Sequence, residues 1–201
     1  MNLHTIIFIG RSGCGKGTQA SVLMDHIHSR DLEKQQILYV ETGEKFREFI
    51  RRDTYSAKLS KKIYEEGTLQ PIFLACLNWG DVLLSELNEN MHLVFDGAPR
   101  ALTEAEVLHT ALEFYSRENP TVIHINVSRK WSEERLLSRG RSDDQTLTKI
   151  NRRLDWFDND VMPAIEYYKN NKNYRYIEVN GEQTIEEVSR EMLQKYTHDT
   201  A

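Results

Sequence analysis

The segment Thr5-Ile6-Ile7-Phe8-Ile9-Gly10-Arg11-Ser12-Gly13-Cys14-Gly15-Lys16-Gly17-Thr18-Gln19 decides the fold. Its first five residues are apolar or β-branched and run into a glycine, the pattern of a buried strand. Downstream, Ala20, Val22, Leu23 and Ile27 recur at helical spacing, so a helix opens inside the glycine-rich stretch. A strand, a glycine loop and a helix N-terminus together make an anion site. Glycines let backbone N–H groups curl around a phosphate, the helix dipole favours negative charge, and Lys16 adds a mobile cation. The spacing fits G-x-x-x-x-G-K, with Gly17 where the usual pattern has Ser or Thr and Thr18 one place later. These residues read as a site for nucleotide phosphates.

Outward from this loop, strands alternate with helices. Apolar runs at Gln36–Val40, His92–Asp96, Thr121–Val127 and Tyr174–Val179 supply four more strands. The alternation predicts an α/β fold with a five-stranded parallel sheet, helices on both faces and right-handed crossovers. Ligands of such three-layer folds bind beyond the carboxyl ends of the strands. Helices are predicted through Phe46 to Ile50, over Leu59–Glu66 with Gly67 as its C-terminal stop, and from Pro71 through Leu84. The stretch 42–90 is too long for a simple crossover and predicts a small helical lobe. Thr103-Glu104-Ala105-Glu106 reads as a capping box. A long helix from Leu147 to Lys169 should be kinked or divided by Pro163. Ile185 to Tyr196 is a final amphipathic helix.

With 201 residues, 39% apolar and 28% charged, the chain fits one soluble enzyme-sized domain that buries roughly 70% of its unfolded surface. The net charge of −5 gives no electrostatic footprint for nucleic acid, so none is expected as a partner. Any site for polyanionic nucleotides must then gather arginines locally. Two cysteines, Cys14 and Cys76, exclude a disulfide framework and suggest a reducing compartment. No apolar run reaches about 18 residues, and no leader pattern precedes the first strand, so a cytoplasmic protein without membrane association is expected. The seven histidines show no ligand spacing; His26 and His28 are expected at the surface.

Asp96 ends an apolar strand, the placement of a carboxylate that holds Mg²⁺ or its water beside a phosphate loop, and Gly97-Ala98-Pro99-Arg100 follows it. Gly10–Gln19, Thr42-Gly43-Glu44 with Arg47, Asp96–Arg100 and Arg139-Gly140-Arg141-Ser142-Asp143-Asp144 occur in this order. Arg153-Leu154, Phe157, Pro163, Tyr167-Tyr168 and Val179-Asn180-Gly181 continue it. Over essentially its whole length the chain resembles the adenylate kinase family of nucleoside monophosphate kinases. That family also places Gly and Thr after the loop lysine.

The resemblance implies one nucleoside monophosphate kinase domain over 1–201, with 42–90 as the monophosphate-binding lobe and 138–146 as a very short lid. It implies that Gly13, Cys14, Gly15, Lys16, Gly17 and Thr18 cradle the phosphates of ATP, with Arg135 over the donor base and Gln183 beside it. The acceptor monophosphate would be held by Thr42, Arg47, Thr68, Leu69, Gln70, Gly97, Ala98, Pro99, Arg100 and Glu104. Lys16, Arg100, Arg139, Arg141 and Arg153 would be catalytic, with Arg141 and Arg153 also touching the acceptor. Mg²⁺ would come with ATP, AMP would be the acceptor, and the enzyme would act as a monomer. Phosphoryl transfer needs positioning and charge neutralisation, which suits so many guanidinium forks. Arg129, Arg152 and Arg190 read as solvated arginines; Arg152 competes with Arg153 by one residue of register, and the spacing to Pro163 and Tyr168 favours Arg153.

Three departures from the family stand out. Arg139 and Arg141 are separated by one glycine, and with no cysteine nearby a zinc site in the lid is not expected. Ala98 replaces a usual aromatic residue, leaving space at the acceptor site. Glu104 replaces a glutamine that reads adenine. A glutamine offers a donor and an acceptor, whereas an ionised glutamate only accepts and suits the two donors of guanine better. Glu104 is alternatively an acid in the first turn of a helix. The open alternatives are therefore a kinase for GMP, CMP or UMP, or a non-catalytic nucleotide-binding relative.

Overall fold

The structure, a computed structural model, describes residues 3–139 and 146–198. Five parallel strands, β1 (Thr5–Ile9), β2 (Gln36–Glu41), β3 (Met91–Asp96), β4 (Thr121–Asn126) and β5 (Arg175–Asn180), lie in the order β2-β3-β1-β4-β5. Every residue of β1 is buried. Its alternating side chains feed two cores because the strand is covered on both faces. Ile6 and Phe8 pack with Ala20, Leu23 and Ile27 of α1 (Lys16–Arg30) and with Val188, Met192 and Tyr196 of α9 (Ile185–His198). Ile7 and Ile9 face the other way, toward α4 (Ile72–Glu86), α5 (Leu102–Phe114) and α8 (Met162–Asn170), through Trp79, Leu83, Leu108, Leu112 and Tyr168. The expected three-layer α/β architecture is present.

The sheet register brings the chemistry-bearing strand ends together. Glu41 pairs with Asp96 across β2 and β3, and Phe8 pairs with Asp96 across β1 and β3. The loop after β1, the start of α2 (Thr42–Phe49) and the residues after β3 therefore meet at one edge. The segment between β2 and β3 folds as α2, α3 (Tyr55–Glu66) and α4. Gly67 closes α3 with φ 73°, a left-handed position that suits glycine.

Three local expectations change, and the expected break in the long helix is present. Helix α3 starts at Tyr55, not Leu59, because the Thr54 hydroxyl accepts from the Ala57 N–H at 3.2 Å and caps an exposed first turn. Helix α5 starts at Leu102 with Ala101 at its N-cap, so Thr103 caps nothing; Glu104 turns inward, where two donors take its carboxylate. The helical stretch after residue 146 divides into α7 (Leu147–Trp156) and α8, joined by a π turn over Phe157–Val161. Pro163 sits in the first turn of α8, where its missing N–H costs little, and the wider turn lies just before it. Arg129, expected to be solvated, is paired with Asp155 at 2.7 Å and Asp158 at 3.2 Å. Of the lid expected over 138–146, residues 140–145, Arg141 among them, lie outside the described residues.

Candidate active site

A cleft of about 530 Å³ opens at the carboxyl ends of β1, β2 and β3. The glycine loop forms one wall. Gly15 precedes α1 with φ 97°, a left-handed position that places the first free N–H groups of the helix toward the cleft. Lys16 Nζ donates to the carbonyls of Gly10 at 2.8 Å and Arg11 at 3.0 Å, so the ammonium rests on the loop's own backbone. Cys14 lies beneath the loop, 3% exposed, and burial raises its thiol pKa. It can contribute its backbone to an anion, not its sulfur.

Asp96 faces this wall from the end of β3. One of its oxygens accepts from the Tyr39 hydroxyl at 2.9 Å. That same oxygen would lie 3.3 Å from a Cβ at Gly17, so the missing side chain is what lets loop and carboxylate approach. Mg²⁺ suits such a place: it keeps several waters and binds through one carboxylate plus substrate phosphates. Among the described residues no group of three or more His, Cys, Asp or Glu could form an all-protein metal cage.

The opposite wall carries cations. Arg47 donates to Glu44 at 2.5 and 3.0 Å and to Glu41 at 3.0 Å. Burial opposes its charge, but these two carboxylates outweigh burial and raise its pKa. Arg100 donates from Nε to the Gly97 carbonyl at 2.6 Å, and its guanidinium lies 5.8 Å over the Trp156 ring. Its pKa is lowered, first by burial and then by Arg153 and Arg47, although Glu104 and Asp96 counter this. Arg153 and Arg47 lie close enough to Arg100 to act on its charge, and cations gathered this closely favour a polyanion. Thr42 donates to the Asp96 carbonyl at 3.3 Å.

Arg153, on α7, reaches Ser12 of the glycine loop at 3.2 Å, whereas the neighbouring Arg152 turns away to the Glu66 carbonyl at 2.8 Å. Of the two, Arg153 is the one that lines the cleft. Arg139 and Arg135, at the end of α6 (Arg129–Arg139), also line the cleft, and Arg135 stacks 5.1 Å over Trp131. Thr68, Leu69 and Gln70 line it from the loop after α3, with the Gln70 amide held by Ser60 at 2.8 and 3.0 Å.

A side chamber of about 190 Å³ opens beside Thr42, Gln70, Gly97 and Arg100 and is bounded by Glu104 and the apolar Phe46 and Ile72. Glu104 is 3% exposed. Its carboxylate accepts from Trp79 Nε1–H at 3.1 Å and from the Arg100 backbone N–H at 2.7 Å. Burial raises its pKa, and the Arg100 N–H, the Arg100 charge and the indole work against that rise.

Three named residues stand apart. Ala98, 1% exposed, and the buried Pro99 line neither cavity; Ala98 packs in the core, so the space expected beside it does not open on the cleft. Gln183 is pinned by the Asn180 carbonyl at 2.9 Å and Glu191 at 2.6 Å. Sequence reasoning missed Tyr39, Glu41, Trp79 and Trp156. Tyr39 and Glu41 alternate in one strand with the latter at its end, a signal that was available. The two tryptophans reach the site only through tertiary packing.

A family model described as adenylate kinase matches residues 8–173. Similar proteins include an adenylate kinase of Flavobacterium psychrophilum, 34% identical over 194 residues and covering 93% of this chain and 95% of that one. An adenylate kinase of Prochlorococcus marinus is 33% identical, covering 94% and 97%. Adenylate kinase 1 of a Nostoc species is 31% identical, covering 93% and 95%. With its glycine loop, paired walls of cations and full-length similarity, the chain belongs to the adenylate kinase family.

Proposed function

We propose that this enzyme transfers the γ-phosphoryl group of ATP to AMP, reversibly, giving two ADP by direct in-line displacement. One observation carries the reading: Lys16 with the loop N–H groups and Arg47 with Arg100 face each other across one cleft, with Arg153 bound to the loop wall. Two polyanions can thus be placed head to head, and positioning with charge neutralisation is what this reaction requires.

Gly13 to Thr18 hold the donor phosphates, and Lys16 leaves the Gly10 and Arg11 carbonyls for the transferred group. Thr42, Arg47 and Arg100 hold the acceptor phosphate, Arg47 exchanging its two carboxylates for it. Arg139, Arg141 and Arg153 neutralise charge as it develops between the nucleotides. Arg135 on Trp131 offers a stacking surface to the donor base, and the backbone beside Gln183 borders it. Asp96 would hold Mg²⁺ through water, and the ion, when bound, neutralises the donor's phosphate oxygens. The side chamber takes the acceptor base, with Thr68 to Gln70 at its rim and Glu104 at its end. Among the described residues both walls of the cleft come from one chain, which supports a monomer. No described helix is long and apolar enough to cross a membrane.

A second reading concerns the base. With Trp79 and Arg100 N–H on its two oxygens, an ionised Glu104 can offer a base only acceptor lone pairs, which favours guanine's two donors over adenine's donor–acceptor pair. A coupled assay over AMP, GMP, CMP and UMP with MgATP tests both. ADP formed with AMP supports the first reading, and turnover with GMP above that with AMP supports the second. Nucleotide binding without transfer to any of the four contradicts both.

A further inference from the structure

Arg11 is a loop residue that does not face the cleft. Its side chain, 15% exposed, turns back beneath the loop. There Nε donates to the Val127 carbonyl at 3.2 Å, Nη2 meets Asp158 at 2.6 Å, and the guanidinium lies 4.3 Å over the Phe157 ring. Both Phe157 and Asp158 belong to the π turn between α7 and α8. The next loop residue, Ser12, is gripped by Arg153 one turn earlier on the same helical stretch. The Ser12 carbonyl is also held from α6 by Ser132. Two consecutive loop residues are therefore fastened to the segment 153–158, and the Arg11 carbonyl is one of the two that carry Lys16.

We propose that Asp158 is a positioning residue for phosphoryl transfer. By holding Arg11 it sets the glycine loop, and with it Lys16, at a fixed distance from Arg153. The inference rests on the kinase reading above. Asp158 touches no part of the cleft. Its other oxygen takes Arg129, so one carboxylate separates two guanidinium groups and ties the loop, α6 and the π turn at one point. Without that carboxylate the two cations face each other, and Arg11 loses its ionic anchor. Small displacements of reacting groups have large kinetic effects: about 100-fold for 1 Å, even from a mutation remote from the chemistry.

Asp158→Asn should lower kcat by about tenfold or more and weaken ATP binding measured by calorimetry, while KM for AMP stays as in the wild type. Arg11→Met should do the same, and the double variant should be no worse than either single one, as expected for two residues acting as a unit. Asp155→Asn, which removes a different partner of Arg129 and leaves Arg11 bound to Asp158, should leave kcat unchanged. Thermal unfolding of each variant, with assays well below the midpoint, separates positioning from loss of fold; if Asp158→Asn does not fold, Arg11→Met carries the test alone. Unchanged kcat in the folded variants, a loss in Asp155→Asn equal to that in Asp158→Asn, or additive losses in the double variant would overturn the proposal. An inactive wild type would instead overturn the kinase reading.

Discussion

The buried indole of Trp79 donates its Nε1–H to Oε1 of Glu104 at 3.1 Å, joining α4 to the first turn of α5. The other carboxylate oxygen takes the Arg100 N–H, so this pair fixes the backbone from which Arg100 enters the cleft. Trp79→Phe keeps an aromatic ring but removes the donor, leaving half of a buried carboxylate unsatisfied. A loss of stability of about 1–3 kcal/mol is expected from urea unfolding. A midpoint within experimental error of the wild type would show that the bond contributes nothing.

Two protein donors converge on Glu104 and ask for two acceptors. A glutamine supplies one acceptor and one amino group, so Glu104→Gln must turn its NH₂ toward Trp79 or Arg100, or toward the side chamber with a changed rotamer. The variant should be less stable by about 1–3 kcal/mol. Its kcat/KM ratio for AMP over GMP should rise, because the new amino group can serve adenine N1. An unchanged ratio would remove Glu104 from base selection.

Acid should destabilise the fold through its inner histidines. His124, 5% exposed on β4 and bonded to the Tyr176 hydroxyl at 2.8 Å, has its pKa lowered to about 4, chiefly by burial. In the unfolded chain a histidine titrates near 6.5. Between those values the unfolded state binds a proton that the folded state refuses, so stability rises with pH from about 4 to 6.5 and is flat above. The contribution of His124 is about 3 kcal/mol over that window. His4 and His92 are shifted in the same direction by burial and add to the slope. Unfolding free energies at pH 4 and pH 7 should differ by about 3 kcal/mol less in His124→Gln than in the wild type. Equal differences would contradict the assignment.

The parts of this protein written in local sequence were legible in advance. The strand and glycine loop around Lys16, the acid at the end of β3, and the spacing from Arg153 to Pro163 each depend on residues within about a dozen positions, and the structure places them accordingly. What escaped depends on contacts between distant residues. Thr103-Glu104 had the letters of a capping box, yet the demand of Trp79, 25 positions away, turned the glutamate inward. Arg11 was given no role because its partner, Asp158, is distant in sequence, and Arg129 read as solvated for the same reason. Ala98 read as a gap at the cleft, but it is buried in the core on that face of the sheet.

The most direct test of the central claim is ADP formation from MgATP and AMP by the purified protein and its Lys16→Ala variant, with circular dichroism to confirm that both are folded. Removing the lysine takes away the mobile cation that contacts the transferred group, worth about 10³-fold or more in turnover if it stabilises charge there as loop cations do. The wild type should form ADP readily, and the folded variant should lose activity by that factor. Equal activity of the two proteins, or no ADP from the wild type with any monophosphate, would contradict it.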